Sequence, residues 1–161
     1  MSKLKLILGV IWAFPITIFA MLFYALPFTA LKWYKFLGFI DSAWVFVLNS
    51  ESAPEFVKNY WKRWGGHAAG NVIVLRQYDE SNKANVATFV HEMNHVHQCM
   101  RLGIFQPILY GLAYIAIKLG CTESDPYFSN PFEIDSRRVA GQVVDVEGYV
   151  KKLHASKDNR S

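Results

Sequence analysis

Cysteine is scarce in this chain. Cys99 and Cys121 are its only two, too few for a disulfide framework, and their spacing matches no CxxC metal or redox motif. Runs of one charge are missing as well. The net charge is +4, but the basic residues fall in short groups such as Lys58, Lys62 and Arg63, or Arg137 and Arg138. There is no Lys/Arg tract and no RRM-like aromatic-basic motif, so no nucleic-acid partner is expected. A mildly basic chain that touches anionic lipid accounts for the same charge. No internal repeat is present, and 161 residues make one domain the default.

Apolar residues are abundant. They make up 52% of the chain, high for a small soluble domain, and much of the excess sits before residue 49. LILGVIWAFPITIFAMLFYALPFTAL runs from Leu6 to Leu31 without a charge, with Lys3 and Lys5 before it and Lys32 and Lys35 after it. That exceeds the roughly 20 apolar residues that cross a bilayer core as helix. It is longer than a signal-peptide core and lacks an A-x-A-like cleavage site. An uncleaved membrane association through residues 6–31 is therefore expected, on a side that lysines at both ends do not reveal. Pro15 and Pro27 favour kinks, which leaves room for two shorter helices in a re-entrant hairpin. The alternative is an apolar helix packed on the domain.

Further along, Ala43 to Leu48 (AWVFVL) and Val72 to Leu75 (VIVL) have strand composition. SAPE, residues 52–55, is a helix start, with Ser52 as cap, Pro54 in the first turn and Glu55 returning the capping-box bond; Gly65 and Gly66 end that helix. DESNKAN, residues 79–85, is a polar turn leading into a helix from about Ala84 to Leu102, stopped by Gly103. Ile104 to Leu119 is apolar but short for a membrane span, and predicts a buried helix with Pro107 in its first turn, with a membrane-dipping segment as the alternative. CTESDPYFSNP is a loop. Helix resumes from Phe132 to about Leu153, before a polar, frayed tail.

The chemistry lies in HEMNH, residues 91–95. On a helix, residues four apart sit about 40° apart around the axis and one turn apart along it. His91 and His95 therefore point the same way and can share one zinc ion through imidazole nitrogens. Glu92, about 100° further round, is displaced from that direction and suits a general base acting on water. The plain alternative is an exposed helix face with two polar histidines.

A catalytic zinc site takes three protein ligands and leaves one position open. The downstream H-x-x-G-x-x-H extension is missing, and the only later histidine is His154 near the tail. The third ligand should then be a carboxylate. In SNPFEIDSRRVAG, Pro131 suits a helix start and Glu133 its first turn, so Glu133 is the choice and Asp135 the alternative. Ordinary surface pairing of Glu133 and Asp135 with Arg137 and Arg138 is the competing explanation.

Hydrolysis also needs a donor for the developing oxyanion. Tyr127, Tyr110 and Arg137 are the candidates, and Tyr127 is carried forward with Glu92 as the catalytic pair. Gln98 lies on the His91–His95 stripe and could hold a ligand or a substrate carbonyl. Cys99 is expected to be a small buried hydrophobe. His97 points away from His91, and His67 is expected to be a structural or exposed turn residue.

HEMNHVHQCMRLGIFQPILY followed by DPYFSNPFEIDSR resembles a group of small zinc metallopeptidases with the pattern HExxHVxQ, a Gly, an apolar stretch with a Tyr, and a Y-x-x-N-P-F-E-x-x-A-R block. The wider resemblance is to minimal, single-domain gluzincins, and it extends to the FP-x-T segment and to HAAGNVIVL. It implies His91, His95 and Glu133 as zinc ligands, Glu92 as base, and a substrate cleft bordered by VIVL, where an extended peptide adds as a strand. The chain departs from that pattern at His97, Cys99 and Ser136. Arg137 also stands where many gluzincins carry an Asp, which leaves Asp135 as the candidate outer carboxylate.

The expected architecture is α+β: a minimal zincin-like domain over residues 36–161, its short sheet packed on the metal-binding helix, preceded by a hydrophobic membrane-associated segment over residues 1–35. The expected activity is zinc-dependent hydrolysis of a peptide or protein substrate. Two other classes stay open: a zinc-binding regulatory protein without catalysis, and a metal-free membrane-associated interaction protein.

Overall fold

The structure, a computed structural model, describes residues 3–121 and 125–142. The helix expected to continue to Leu153, and His154, lie outside the described residues.

The protein is α+β, with a mixed four-stranded sheet in the order β1-β2-β4-β3. The strands are β1 (Tyr34–Ile40), β2 (Ala43–Leu48), β3 (Gly66–Ala69) and β4 (Val72–Leu75). β2 and β4 pair in parallel; the two outer pairs are antiparallel. β2 and β4 are the interior strands, and all four residues of β4 are buried. That explains its unbroken apolar run, since a strand covered on both faces has no polar side to alternate with. Val72 and Val74 face one layer with Phe46, Trp61 and Val57. Ile73 and Leu75 face the other with Met93, Val96 and Met100. Each such side chain contributes about 1.5–3 kcal/mol by leaving water.

β1 and β3 escape sequence reading. β3 is GHAA, with no apolar alternation, and it is a strand because β4 offers it a ladder. VIVL therefore does not border the cleft; the free edge beside the site belongs to β3. Ser52 does not cap the helix α3 (Glu55–Trp61) either: Pro54 takes the N-cap position, and Ser52 accepts a hydrogen bond from Asn49 instead.

The N-terminal stretch is one helix, Lys3–Ala30, long and apolar enough to cross a membrane, a measure that a signal sequence or a core helix also meets. It comprises α1 (Lys3–Ala20), a π-helical turn at Met21–Ala25 and α2 (Leu26–Ala30). Pro15 sits inside α1 without breaking it, and Pro27 falls in the first turn of α2, where its missing N–H costs little. There is no hairpin.

Nor is α1 a free-standing anchor. Its small residues Gly9, Ala13, Thr17 and Ala20 form a buried stripe, while Leu4, Ile7, Ile11, Phe14 and Phe19 stay exposed. The Thr17 hydroxyl accepts from the Asn71 backbone N–H at 2.9 Å, and the Asn71 amide donates to the Ser42 carbonyl at 2.6 Å. Gly70 makes this approach possible. It has φ +58, and a Cβ there would stand 2.5 Å from the Thr17 backbone nitrogen. The expected boundary at residue 35 falls inside β1.

The long helix α4 (Lys83–Leu102) crosses one face of the sheet. Asn82 caps it, accepting from the N–H groups of Ala84 and Asn85. The helix α5 (Phe105–Ala116) follows at an angle of 113°, ending in a π turn at Ile117–Cys121. The expectation of a buried helix fails here: none of the α5 residues is buried. The helix α6 (Pro131–Val139) returns to α4.

Asn71 ties α1, β2 and β4 together. Asn71→Ala should lower stability by about 2–3 kcal/mol, because buried partners lose their hydrogen bonds. Denaturant unfolding measures it; an unchanged midpoint would mean α1 is held by apolar contact alone.

Candidate metal centre

α4 turns His91, Glu92, Asn94, His95 and Gln98 inward, all of them buried. α6 supplies the opposite wall. Its start is fixed by Asn130, whose side-chain oxygen accepts from Phe132 N–H and whose amide donates to the Tyr110 carbonyl. The loop before it is turned by Asp125, which accepts from the backbone N–H groups of Tyr127 and Phe128. Glu133 then stands in the first helical turn, 4% exposed, against the two histidines.

The three groups converge. His91 Nε2 lies 3.1 Å from Glu133 Oε2, His95 Nε2 lies 3.3 Å from Glu133 Oε1, and the two Nε2 atoms are 3.2 Å apart. A tetrahedral zinc with bonds of about 2.0–2.2 Å separates its ligand atoms by roughly 3.3–3.6 Å, close to this spacing. No other described cluster of three or more His, Cys, Asp or Glu side chains has such geometry. Asp135 does not join it.

The outward ring nitrogens settle the tautomers. His95 Nδ1 lies 2.8 Å from Gln98 Oε1. The Gln98 amide cannot be turned round, because its Nε2 donates to the Phe132 carbonyl and to Asp135 Oδ2, both at 3.1 Å. His95 Nδ1 must therefore donate. His91 Nδ1 lies 3.0 Å from Gln142 Oε1, within reach to donate in the same way. With Nδ1 protonated in both neutral rings, both Nε2 lone pairs and the Glu133 carboxylate face one point. Such a set of acceptors is repulsive until a proton or a metal cation sits among them.

Electrostatics follow from that crowding. Burial alone would raise Glu133, but in the metal-free protein a proton taken up among the facing Nε2 atoms lets His91 and His95 bond it, and that holds it well below the usual carboxylate range. Burial alone would lower His95, yet its bond to Glu133 raises it. Burial pushes Glu92 up to about 7. Glu92 also lies flush on β3: a Cβ at Gly66 would stand 2.7 Å from its Cγ.

No protein-family model, curated protein or solved structure matches this chain. The site must be judged on its own geometry.

A cavity of about 410 Å³ opens beside the cluster, lined among others by Trp64, His67, Glu92, Tyr110 and Tyr127. Tyr110 donates to Glu133 Oε1 at 3.0 Å. The Tyr127 hydroxyl is kept protonated by burial and by the Glu133 charge. Arg137 is not available as an oxyanion donor. It donates to the Phe128 carbonyl, pairs with Glu133 at 3.7 Å and stacks on Tyr127 and Phe128. Arg138 makes an exposed pair with Asp135. Cys99 is buried near the Gly103 carbonyl, and His97 lies away from the cluster.

His67 corrects the sequence reading. It is no turn residue but part of β3 and of the cleft wall, its Nε2 2.8 Å from the Tyr60 hydroxyl, and burial lowers it to about 4. Gln142 and Trp64 also escape sequence analysis. Gln142 stands 51 positions from His91, with no motif to mark it. Trp64 sits beside the Gly65-Gly66 pair but carries no spacing signal.

The Glu92 carboxyl is raised from 4.5 to about 7, so folding favours its protonated form. Metal-free protein should therefore lose stability as pH climbs from 4.5 through about 7, by on the order of 3 kcal/mol from this group. Glu92→Gln removes that loss. Thermal unfolding of the metal-free proteins should show the variant more stable than wild type near pH 8 and about equal near pH 4; an equal difference at both would contradict it.

Proposed function

We propose that this protein is a membrane-associated zinc metallopeptidase with a zincin-like domain of the minimal gluzincin kind. The observation that carries the reading is the convergence of His91 Nε2, His95 Nε2 and the Glu133 carboxylate, with both Nδ1 atoms tied to glutamine carbonyl oxygens. The donor set, two neutral imidazoles and one carboxylate, fits catalytic zinc. Its outer partners are of the kind that orient histidine ligands: Gln98, backed by Asp135, behind His95, and Gln142 behind His91.

Zinc held there would supply a Lewis acid that polarises a carbonyl and makes a water nucleophilic near neutral pH. The chain's own residues do the rest. Glu92, poised near neutrality, takes the proton from the attacking water and returns it to the leaving amine. Tyr127, whose hydroxyl keeps its proton, donates to the developing oxyanion. Among the described residues the outer edge of β3 (Gly66–Ala69) has no strand beside it, so it offers backbone groups to an extended peptide. His67, neutral and half-buried on that edge, presents no charge to the substrate. The exposed apolar face of Lys3–Ala30 holds the domain at a membrane.

The test is a peptide-library digest with wild-type protein and Glu92→Gln, each assayed for zinc. The variant should retain zinc and lose activity by about 10²–10⁴-fold. Undiminished hydrolysis by the zinc-loaded variant would refute the role of Glu92. A zinc-loaded wild type that cleaves nothing would favour the regulatory zinc protein over the enzyme.

A further inference from the structure

α5 is apolar without being covered. Phe105, Ile108, Leu109, Leu112, Ile115 and Leu119 are each between 42% and 79% exposed, and they recur at helical spacing along one side. The opposite side is different in kind: Gln106, Pro107, Tyr110 and Tyr114 line the cavity beside the metal cluster. One helix thus separates the candidate active site from a bare apolar surface.

Three further observations say what lies against that surface. First, it is continuous with the exposed face of α1. The Trp12 ring, itself half-exposed, lies directly on the buried Gly103, and Ile104 and Phe105 continue the apolar surface beyond it. Second, no acidic residue occurs between Ile104 and Cys121, while Arg101 and Lys118 stand exposed towards its two ends. Basic ends on an apolar helix suit anionic headgroups. At the α1–α4 seam a cavity of about 790 Å³ repeats the pattern, with Lys5, His97 and Arg101 around Leu8, Trp12 and Met100; Asp41 is the acidic neighbour of His97. Third, the helix and its π turn together, Phe105–Gly120, span about 24 Å, still short of a hydrocarbon core of about 30 Å. A helix of this length and polarity lies along an interface.

We propose that α5 is seated in the surface of an anionic lipid bilayer, with Phe105, Ile108, Leu112 and Ile115 in the acyl region and Arg101 and Lys118 at the headgroups. The cleft then stands about one helix diameter, roughly 10 Å, above the lipid. Resting on the metallopeptidase reading, this selects the substrate class: polypeptide segments held at the membrane surface, rather than soluble peptides arriving from bulk water.

The seating is measurable without any activity. In full-length protein carrying Cys121→Ser, with Cys99 buried, an environment-sensitive fluorophore is attached at Leu112→Cys and, separately, at Lys62→Cys just past the end of α3. Both proteins are reconstituted into vesicles of phosphatidylcholine with phosphatidylserine. The label at 112 should be quenched several-fold more by acyl-chain nitroxide lipid than by aqueous iodide, and the label at 62 the reverse. Charge reversal, Arg101→Glu with Lys118→Glu, should weaken the acyl-chain quenching at 112 in these vesicles and leave it unchanged in pure phosphatidylcholine. Iodide quenching at 112 would overturn the seating, as would shielding from both quenchers, which marks a protein partner or second copy instead. Charge reversal without effect would overturn the headgroup contacts. A seated α5 in a protein that cleaves nothing would leave the lipid contact standing and dispose only of the substrate class.

Discussion

Two imidazole lone pairs and a carboxylate aimed at one point are the constraint on which the rest of the site depends. Left alone, such a cluster is unfavourable, since every group in it accepts and none donates. It persists only because the surroundings hold each member from behind. Gln98 and Asp135 hold His95, Gln142 holds His91, and Arg137 with Tyr110 holds Glu133. The loop over residues 125–130 exists in that frame chiefly to start α6 at Asn130, so that Glu133 arrives in the first turn.

The sheet contributes indirectly. β4, buried on both faces, gives α4 a flat apolar bed, and that bed sets which way the helix turns. Met93, Val96 and Met100 face the sheet, which leaves His91, His95 and Gln98 to face α6. Glu92 falls between the two directions and lies against the backbone of β3, where Gly66 leaves room for it. Its burial raises its proton affinity, so the same packing that builds the cleft tunes the base. The α1 helix closes the other side of this layer, which ties the long apolar N-terminal helix to the helix that bears the histidines.

Parts of this were legible in the sequence, and the reasons differ. HEMNH is read correctly as one face of a helix because a four-residue spacing has only one helical meaning. Glu133 is placed in a first helical turn because Pro131 marks a helix start. VIVL is recognised as a strand, but its place in the sheet is not, because strand order is set by long-range pairing. β3 is invisible, being Gly, His and two Ala. α5 is misread for a different cause: an apolar run reports only that water is avoided, not whether the fold covers it. Gln142 has no local mark at all; only the fold brings it to His91.

The central claim is that the cluster is a three-ligand zinc site, and equilibrium metal content tests it most directly. Purified full-length protein, reconstituted with zinc and dialysed, would be measured by mass spectrometry beside Glu133→Ala and Asp135→Ala. The account predicts about one zinc per chain in wild type, severe loss on removing Glu133, and at most a weakening of about 10–100-fold on removing Asp135, which acts through Gln98. A wild type that takes up no zinc, or a Glu133→Ala protein that keeps its full share, would contradict it.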